Sequence, residues 1–282
     1  MPWIVFWHKI NGLEYWYWKY STAVSEHKKM LRPFLTYLNT VLLYLGLLVM
    51  PALAGAADVR VAVASNFYEV MKVLSAQYMK QTSEKIILSP GSTGKHYAQI
   101  INGAPYDIFF AADALRPSLL EQKGYSTAGS RFTYATGKLV LWSPDKHRVD
   151  ANGNVLQSGD FRFLAIANPA HAPYGKAAKE VLMQRKLFGR LTKRMVRGEN
   201  ISQAYRFVKS GNAELGFVAL SQVLRKQALI EGSAWRVPQE LYPPIRQQAV
   251  IIKDSEAARQ FAAFVKSEQA LKVIREYGYE ID

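Results

Sequence analysis

The 282-residue chain contains no cysteine. That absence excludes disulfide frameworks, thiolate metal sites and cysteine nucleophiles, and with them the lipid-bearing cysteine that tethers some exported bacterial proteins. Histidine is scarce. After residue 56 only His96, His147 and His171 occur, with no i, i+4 pair and no acidic motif for zinc. A Gly-x-Ser-x-Gly elbow for a serine nucleophile is missing. The string Gly91-Ser92-Thr93-Gly94-Lys95 falls short of a phosphate-binding loop, which needs glycine at 89 and a hydroxyl residue at 96; this chain has Ser89 and His96. Asp107 and Asp113 flank a strand end, where capping or solvent-facing roles suit them better than acid/base work. The chain is therefore expected not to be an enzyme.

A long hydrophobic run is also lacking. The longest, Leu35 to Met50, has about 16 residues and includes Asn39 and Thr40, whereas a membrane span needs about 20 mostly apolar ones. It is preceded by Lys28, Lys29 and Arg32 and followed by Pro51-Ala52-Leu53-Ala54-Gly55-Ala56-Ala57. Positive segment, apolar segment and small-residue cleavage site together read as a secretory signal peptide. Ala52-x-Ala54 and Ala54-x-Ala56 both suit the peptidase, so residues 30–56 are assigned to the leader and cleavage is expected near Ala54–Ala57. Residues 1–29 hold four of the six tryptophans and show no amphipathic period. They are expected to be a mis-called extension, with translation starting at Met30.

What is present begins with charge. The formal net charge is +14, and five Lys/Arg against two Glu in residues 1–56 leave +11 for the rest, spread thinly from Arg60 to Arg275. The densest run, Lys186 to Arg197, alternates with Leu, Phe and Met as a solvated helix face would. A broad positive field steers small anions without reading any nucleic-acid sequence, and no nucleic-acid partner is expected. From Asp58 the pattern alternates β-rich runs, such as Val59–Ala64, Asp107–Phe110 and Leu215–Val218, with stretches of helical period, such as Phe67–Gln81 and Ile201–Lys209. Such alternation indicates βαβ units and largely parallel sheets. An α/β chain of two lobes, each with its own sheet, is expected. No heptad seam or long apolar edge calls for a second copy, which suggests a monomer.

Four strand-to-helix junctions share small, hydroxylic and glycine residues: Ala64-Ser65-Asn66, Gly91-Ser92-Thr93-Gly94, Pro173-Tyr174-Gly175 and Glu199-Asn200-Ile201-Ser202. In α/β sheets ligands sit beyond the carboxyl ends of the strands. Helix N-termini there offer unpaired N–H groups and about half a positive charge each. Several such termini converging on one point would hold a dianion without a lysine or arginine. Each junction also has a plainer reading. Ser65-Asn66 and Thr93 are good helix caps, Pro173 suits the first position of a helix, and Ile201 offers only a backbone N–H. The signal lies in the set.

Six ordered motifs then bring a family into view. They are Val61–Asn66, Pro90–Gly94 with Tyr97–Ile100, Asn102–Asp113, Gly137–Trp142, Asn168–Gly175 and Leu215–Leu220. Together they resemble the periplasmic molybdate-binding proteins of ABC importers, over about residues 58–280. The resemblance implies a two-lobed periplasmic binding-protein fold of type II, each lobe a mixed, mostly parallel sheet flanked by helices. Lobe one would hold residues 58–137 and 246–282, and lobe two residues 138–245. The ligand-binding residues it implies are Ser65, Asn66, Thr93, Tyr174 and Ile201. Tyr174 and Ile201 would donate through backbone N–H, and Ser65 and Thr93 would add hydroxyls. Part of the family adds a tyrosine hydroxyl at a position that is Ala219 here, and the Asn66 side-chain amide is a candidate replacement. No cofactor is implied, only molybdate or tungstate as ligand and a membrane permease as partner. A donor-only site disfavours ligands that carry a proton, such as monohydrogen phosphate. Other readings stay open: a receptor for another oxyanion such as sulfate, a periplasmic enzyme on the same scaffold, and the effector domain of a DNA-binding regulator, whose helix-turn-helix this N-terminus lacks.

Overall fold

The structure, a computed structural model, describes residues 4–11, 13–19, 37, 58–225 and 228–281. Two compact units divide the chain, Met1–Gly55 and Ala56–Asp282. In the first, β1 (Ile4–Ile10) and β2 (Leu13–Lys19) form an antiparallel hairpin with Trp7 opposite Trp16 and Ile10 opposite Leu13. Residues 1–29 thus hold a regular element that the search for an amphipathic period did not reveal. Aromatic residues occupy successive positions, Phe6-Trp7 and Tyr15-Trp16-Tyr17-Trp18, which hides the period of two. The turn signal is local: Asn11 adopts a φ of 48°, and Asn-Gly between β-rich runs favours a two-residue hairpin loop. Apart from Tyr37, the expected leader of residues 30–56 lies outside the described residues.

The second unit carries two five-stranded sheets. One contains β3 (Asp58–Ala64), β4 (Lys85–Gly91), β5 (Ile108–Phe110) and β6 (Phe132–Gly137). The other contains β7 (Leu139–Ser143), β8 (Leu164–Ala167), β9 (Met195–Gly198) and β10 (Leu215–Ala219). A two-residue pair follows, β11 (Leu224–Arg225) with β12 (Ala228–Leu229). Then β13 (Ser233–Arg236) completes the second sheet, in the order β13-β7-β10-β8-β9. Finally β14 (Ile245–Ile251) returns to complete the first, in the order β4-β3-β5-β14-β6. The chain crosses between sheets at Lys138, the single residue separating β6 from β7, and comes back into β14.

Each sheet holds two parallel and two antiparallel pairings. The parallel share is therefore half rather than most. The crossing strands explain it: β6, β7, β13 and β14 pair antiparallel to their neighbours, while the βα units β3, β4, β5 and β8, β9, β10 stay parallel.

Helices cover both faces of the first sheet. On one side, α1 (Tyr68–Met79), α6 (Glu256–Val265) and α7 (Glu268–Glu276) bury Val70, Leu74, Phe261 and Ile274 against Phe110. On the other, α2 (Thr93–Ile101) and α3 (Leu115–Gln122) bury Ile100 and Leu120 against Phe109. Successive residues of β5 feed opposite cores because strand side chains alternate faces. In the second sheet, α4 (Pro173–Gln184) and α5 (Ile201–Lys209) pack on a core around Trp142 and Phe217.

The run Lys186 to Arg197 is not one helix face. Lys186 takes a φ of 57° and ends α4, with Leu187 N–H bonded to the Leu182 carbonyl at 2.7 Å and Lys186 N–H to that of Met183 at 2.9 Å. This is the six-to-one closure of a Schellman motif, with lysine where glycine is usual. The chain then makes a short helical turn at Phe188–Leu191 and enters β9, which pairs with β8. Pairing at a sheet edge overrides the local pattern here, since an edge strand needs only intermittent apolar residues.

Candidate functional site

The four junctions singled out in the sequence all stand at carboxyl ends of parallel strands: β3 and β4 in one sheet, β8 and β9 in the other. After β3, Ser65–Phe67 form a 3₁₀ turn leading into α1, with Ala64 at its cap position and no side-chain cap. After β4, the capping residue of α2 is Ser92, whose Oγ accepts from Lys95 N–H at 3.4 Å. Thr93, a candidate cap on sequence grounds, has a different job. Its hydroxyl oxygen accepts from the Ala112 N–H at 3.0 Å, which leaves its single proton free to donate. After β8, Pro173 occupies the first turn of α4. Gly175 lets that helix approach β8, for a Cβ there would overlap the Ala167 carbonyl. After β9, Asn200 caps α5 by accepting from Gln203 N–H at 3.0 Å.

Ser65, Asn66, Thr93, Tyr174 and Ile201 line one cavity, together with Ala64, Gly91, Ser92, Ala112, Ala172 and Pro173. Its atom-free volume, open mouth included, is about 180 Å³, of which only about 10 Å³ admits the centre of a water-sized body. That is a narrow cleft for one small group, far too tight for a sugar. All five expected residues are buried, from Ser65 at 7% exposed to Thr93 and Tyr174 at 1%. Among the described residues, no Asp, Glu, Lys, Arg or His lines the cavity. First-turn N–H groups have no partner inside their own helix, so helix starts from both sheets present neutral donors to one small space. Behind the wall, His96 bonds Gln99 Oε1 through Nδ1 at 3.1 Å, and burial pushes its pKa below the ordinary value. No charge faces the cavity from that side at neutral pH.

The charged residues nearby are drawn outward. Glu199, the one carboxylate in the four junctions, pairs with Lys95 at 2.6 Å across the two lobes. Asp113 accepts from Arg116 N–H at 3.0 Å and pairs with its guanidinium. Asp107 accepts from Arg60 N–H at 2.7 Å. Both aspartates are thus structural. Hydrogen bonds to main-chain carbonyls also close the cleft: Gly94 N–H donates to the His171 carbonyl at 2.9 Å, and Ser202 Oγ to the Ser65 carbonyl at 3.0 Å.

The Asn66 side chain does not replace a missing tyrosine. Its Nδ2 donates to Gln247 Oε1 at 2.8 Å and to Tyr279 Oη at 2.9 Å, so both amide hydrogens point away from the cavity. Asn66 has only its main-chain N–H to offer there. Ala219 lies outside the cavity lining, and its N–H donates to Gln222 Oε1 at 3.0 Å. Gln247 and Tyr279 escaped the sequence reading. The one signal for Gln247 was an amide within a strand otherwise bound for the core.

A family model described as bacterial extracellular solute-binding protein matches residues 59–280. This chain belongs to that family. A molybdate-binding protein from Azotobacter vinelandii is 49% identical over 245 residues, covering 86% of this chain and 97% of its own length. One from Rhodobacter capsulatus is 46% identical, covering 82% and 91%. Among solved structures, the periplasmic molybdate-binding protein of Azotobacter vinelandii matches with a TM-score of 0.77 at 44% identity, over 79% of this chain and 99% of that one. The resemblance read from the six motifs is borne out, as is the two-lobed fold with mixed sheets. These relatives are named as binding proteins, and this family member is a binding protein rather than an enzyme.

Proposed function

We propose that the chain is an extracytoplasmic receptor that captures molybdate in the interlobe cavity and delivers it to the membrane permease of an ABC importer. One observation carries this reading: neutral donors from four helix starts, two in each lobe, meet in a small buried space without a charged side chain. A dianion there is held by helix-terminal N–H groups and their partial positive charge. Every donor is satisfied by a bare oxygen, and the main-chain N–H groups offer no acceptor to a ligand that keeps a proton. Molybdate, tungstate and sulfate are fully deprotonated at neutral pH, and the relatives favour the first. Tungstate is the expected second ligand.

In this reading the main-chain N–H groups of Asn66, Tyr174 and Ile201 and the hydroxyls of Ser65 and Thr93 are the donors. Lobe one takes residues 58–137 and 246–282, lobe two residues 138–245, and the two close over the anion as a monomer. The leader of residues 30–56 is removed near Ala54–Ala57, placing the mature receptor in the periplasm. Calorimetric titration of the purified protein with molybdate, tungstate, sulfate and phosphate at one ionic strength tests the assignment. Molybdate is expected to bind at micromolar affinity or tighter, roughly 8 kcal/mol or more, while phosphate gives no heat. Preference for sulfate would overturn the ligand.

A further inference from the structure

Both chain crossings between the lobes meet at one residue pair, where Gly137 at the end of β6 faces Ile245 at the start of β14. A Cβ on Gly137 would overlap the Tyr174 hydroxyl and the Gln247 side-chain amide. The glycine therefore leaves a seat for a phenol arriving from the other lobe. Gln247 is fully buried. Its Nε2 donates to Tyr174 Oη at 3.2 Å, and its Oε1 accepts from Asn66 Nδ2 at 2.8 Å and Tyr134 Oη at 3.0 Å. A second strand of the network runs beside it. Tyr279 Oη lies 2.9 Å from the Asn66 carbonyl and 3.0 Å from Ser221 Oγ, and Ser221 Oγ lies 3.1 Å from that carbonyl. Asn66, Tyr134, Gln247 and Tyr279 belong to lobe one by the division above, Tyr174 and Ser221 to lobe two.

We infer that Gln247, Tyr174 and Ser221 form a latch at the crossing point, which assembles when the lobes close and positions the anion donors. Two residues of the cavity wall, Asn66 and Tyr174, turn their side chains into this network, and Asn66 adds its carbonyl, which leaves their main-chain N–H groups for the cavity. Closing the lobes and placing these N–H groups are accordingly one event. Opening separates Tyr174 Oη from Gln247 and Ser221 from Asn66, and a buried amide or hydroxyl that loses its partner must find water. Burial pushes the Tyr134 and Tyr174 phenols well above their ordinary range and Tyr279 up to about 12. The hydroxyls stay protonated, so the latch holds across neutral pH.

The inference rests on the proposed anion reading, and its test separates the two. Tyr174→Phe keeps the main-chain donor and removes only the latch hydroxyl; Ser221→Ala removes the hydroxyl that reaches the Asn66 carbonyl. For each, molybdate dissociation is followed by stopped flow, and the thermal midpoint of the unliganded protein is measured alongside. The latch predicts release about five- to tenfold faster in each variant, as expected for one lost hydrogen bond. It also predicts a larger combined effect in the double variant, with the unliganded midpoint little changed. Unchanged release rates, or a loss confined to the unliganded midpoint, would overturn the latch. If the unaltered protein takes no oxyanion at all, the proposed function fails instead.

Discussion

The cavity and its rim lie a few residues apart and use opposite chemistry. Inside, neutral helix-terminal donors line about 180 Å³ with no charged side chain. At the rim, Lys95 and Glu199 join the lobes at 2.6 Å with both side chains about half exposed, and Arg116 reaches the Ala170 carbonyl at 3.4 Å. The difference follows from what each place costs when empty. A lysine in the closed cavity would be an unpaired buried charge, penalised by several kcal/mol, and would attract any anion whatever its protons. Neutral N–H groups are cheaper to leave waiting and select for bare oxygens. At the rim, water screens the charges, which suits them to steering anions toward the cleft rather than choosing among them.

Substitutions at three positions sharpen that contrast. The largest effect is expected from Ser65→Asp, which places a carboxylate in the cavity. A carboxylate and a dianion about 4 Å apart repel by about 8 kcal/mol at an effective dielectric of about 20, so calorimetry should find molybdate binding lost, with affinity lowered far more than about a thousandfold. Retained affinity would mean that the anion sits elsewhere. Thr93→Val comes next and should act twice. Losing the hydroxyl donor weakens molybdate binding by about 1–3 kcal/mol, and stranding the Ala112 N–H destabilises the unliganded protein by about as much. Thr93→Ser restores both. A variant that loses stability but keeps affinity would reduce Thr93 to a support for Ala112. The smallest effect belongs to Lys95→Met at the rim, where exposed ion pairs contribute about 0–1 kcal/mol. Affinity should change less than about fivefold, and a hundredfold loss would erase the distinction between rim and cavity.

Much of this was legible in the sequence because the site is built from helix starts. The βα units β3–α1, β4–α2 and β8–α4 announce themselves by alternating period, and their junction residues follow directly; all five expected residues reached one cavity. The side-chain roles were harder to read. Ser92 rather than Thr93 caps α2, because a one-residue shift in helix onset exchanges their tasks. The Asn66 amide is claimed by Gln247 and Tyr279, which lie 181 and 213 positions away, and no local pattern encodes a partner that distant. The strands β6, β9 and β13 were missed for a related reason. Their burial is mixed, so pairing with neighbours defines them more than their own period does.

Crystals grown with molybdate and recorded at the molybdenum absorption edge would test the central claim most directly. The anomalous peak is expected inside the cavity, with the N–H groups of Asn66, Tyr174 and Ile201 and the Thr93 hydroxyl about 2.7–3.2 Å from the anion's oxygens. No lysine, arginine or metal ion should lie within hydrogen-bonding reach. A peak outside the cavity, or one held by a lysine or arginine, would contradict the account.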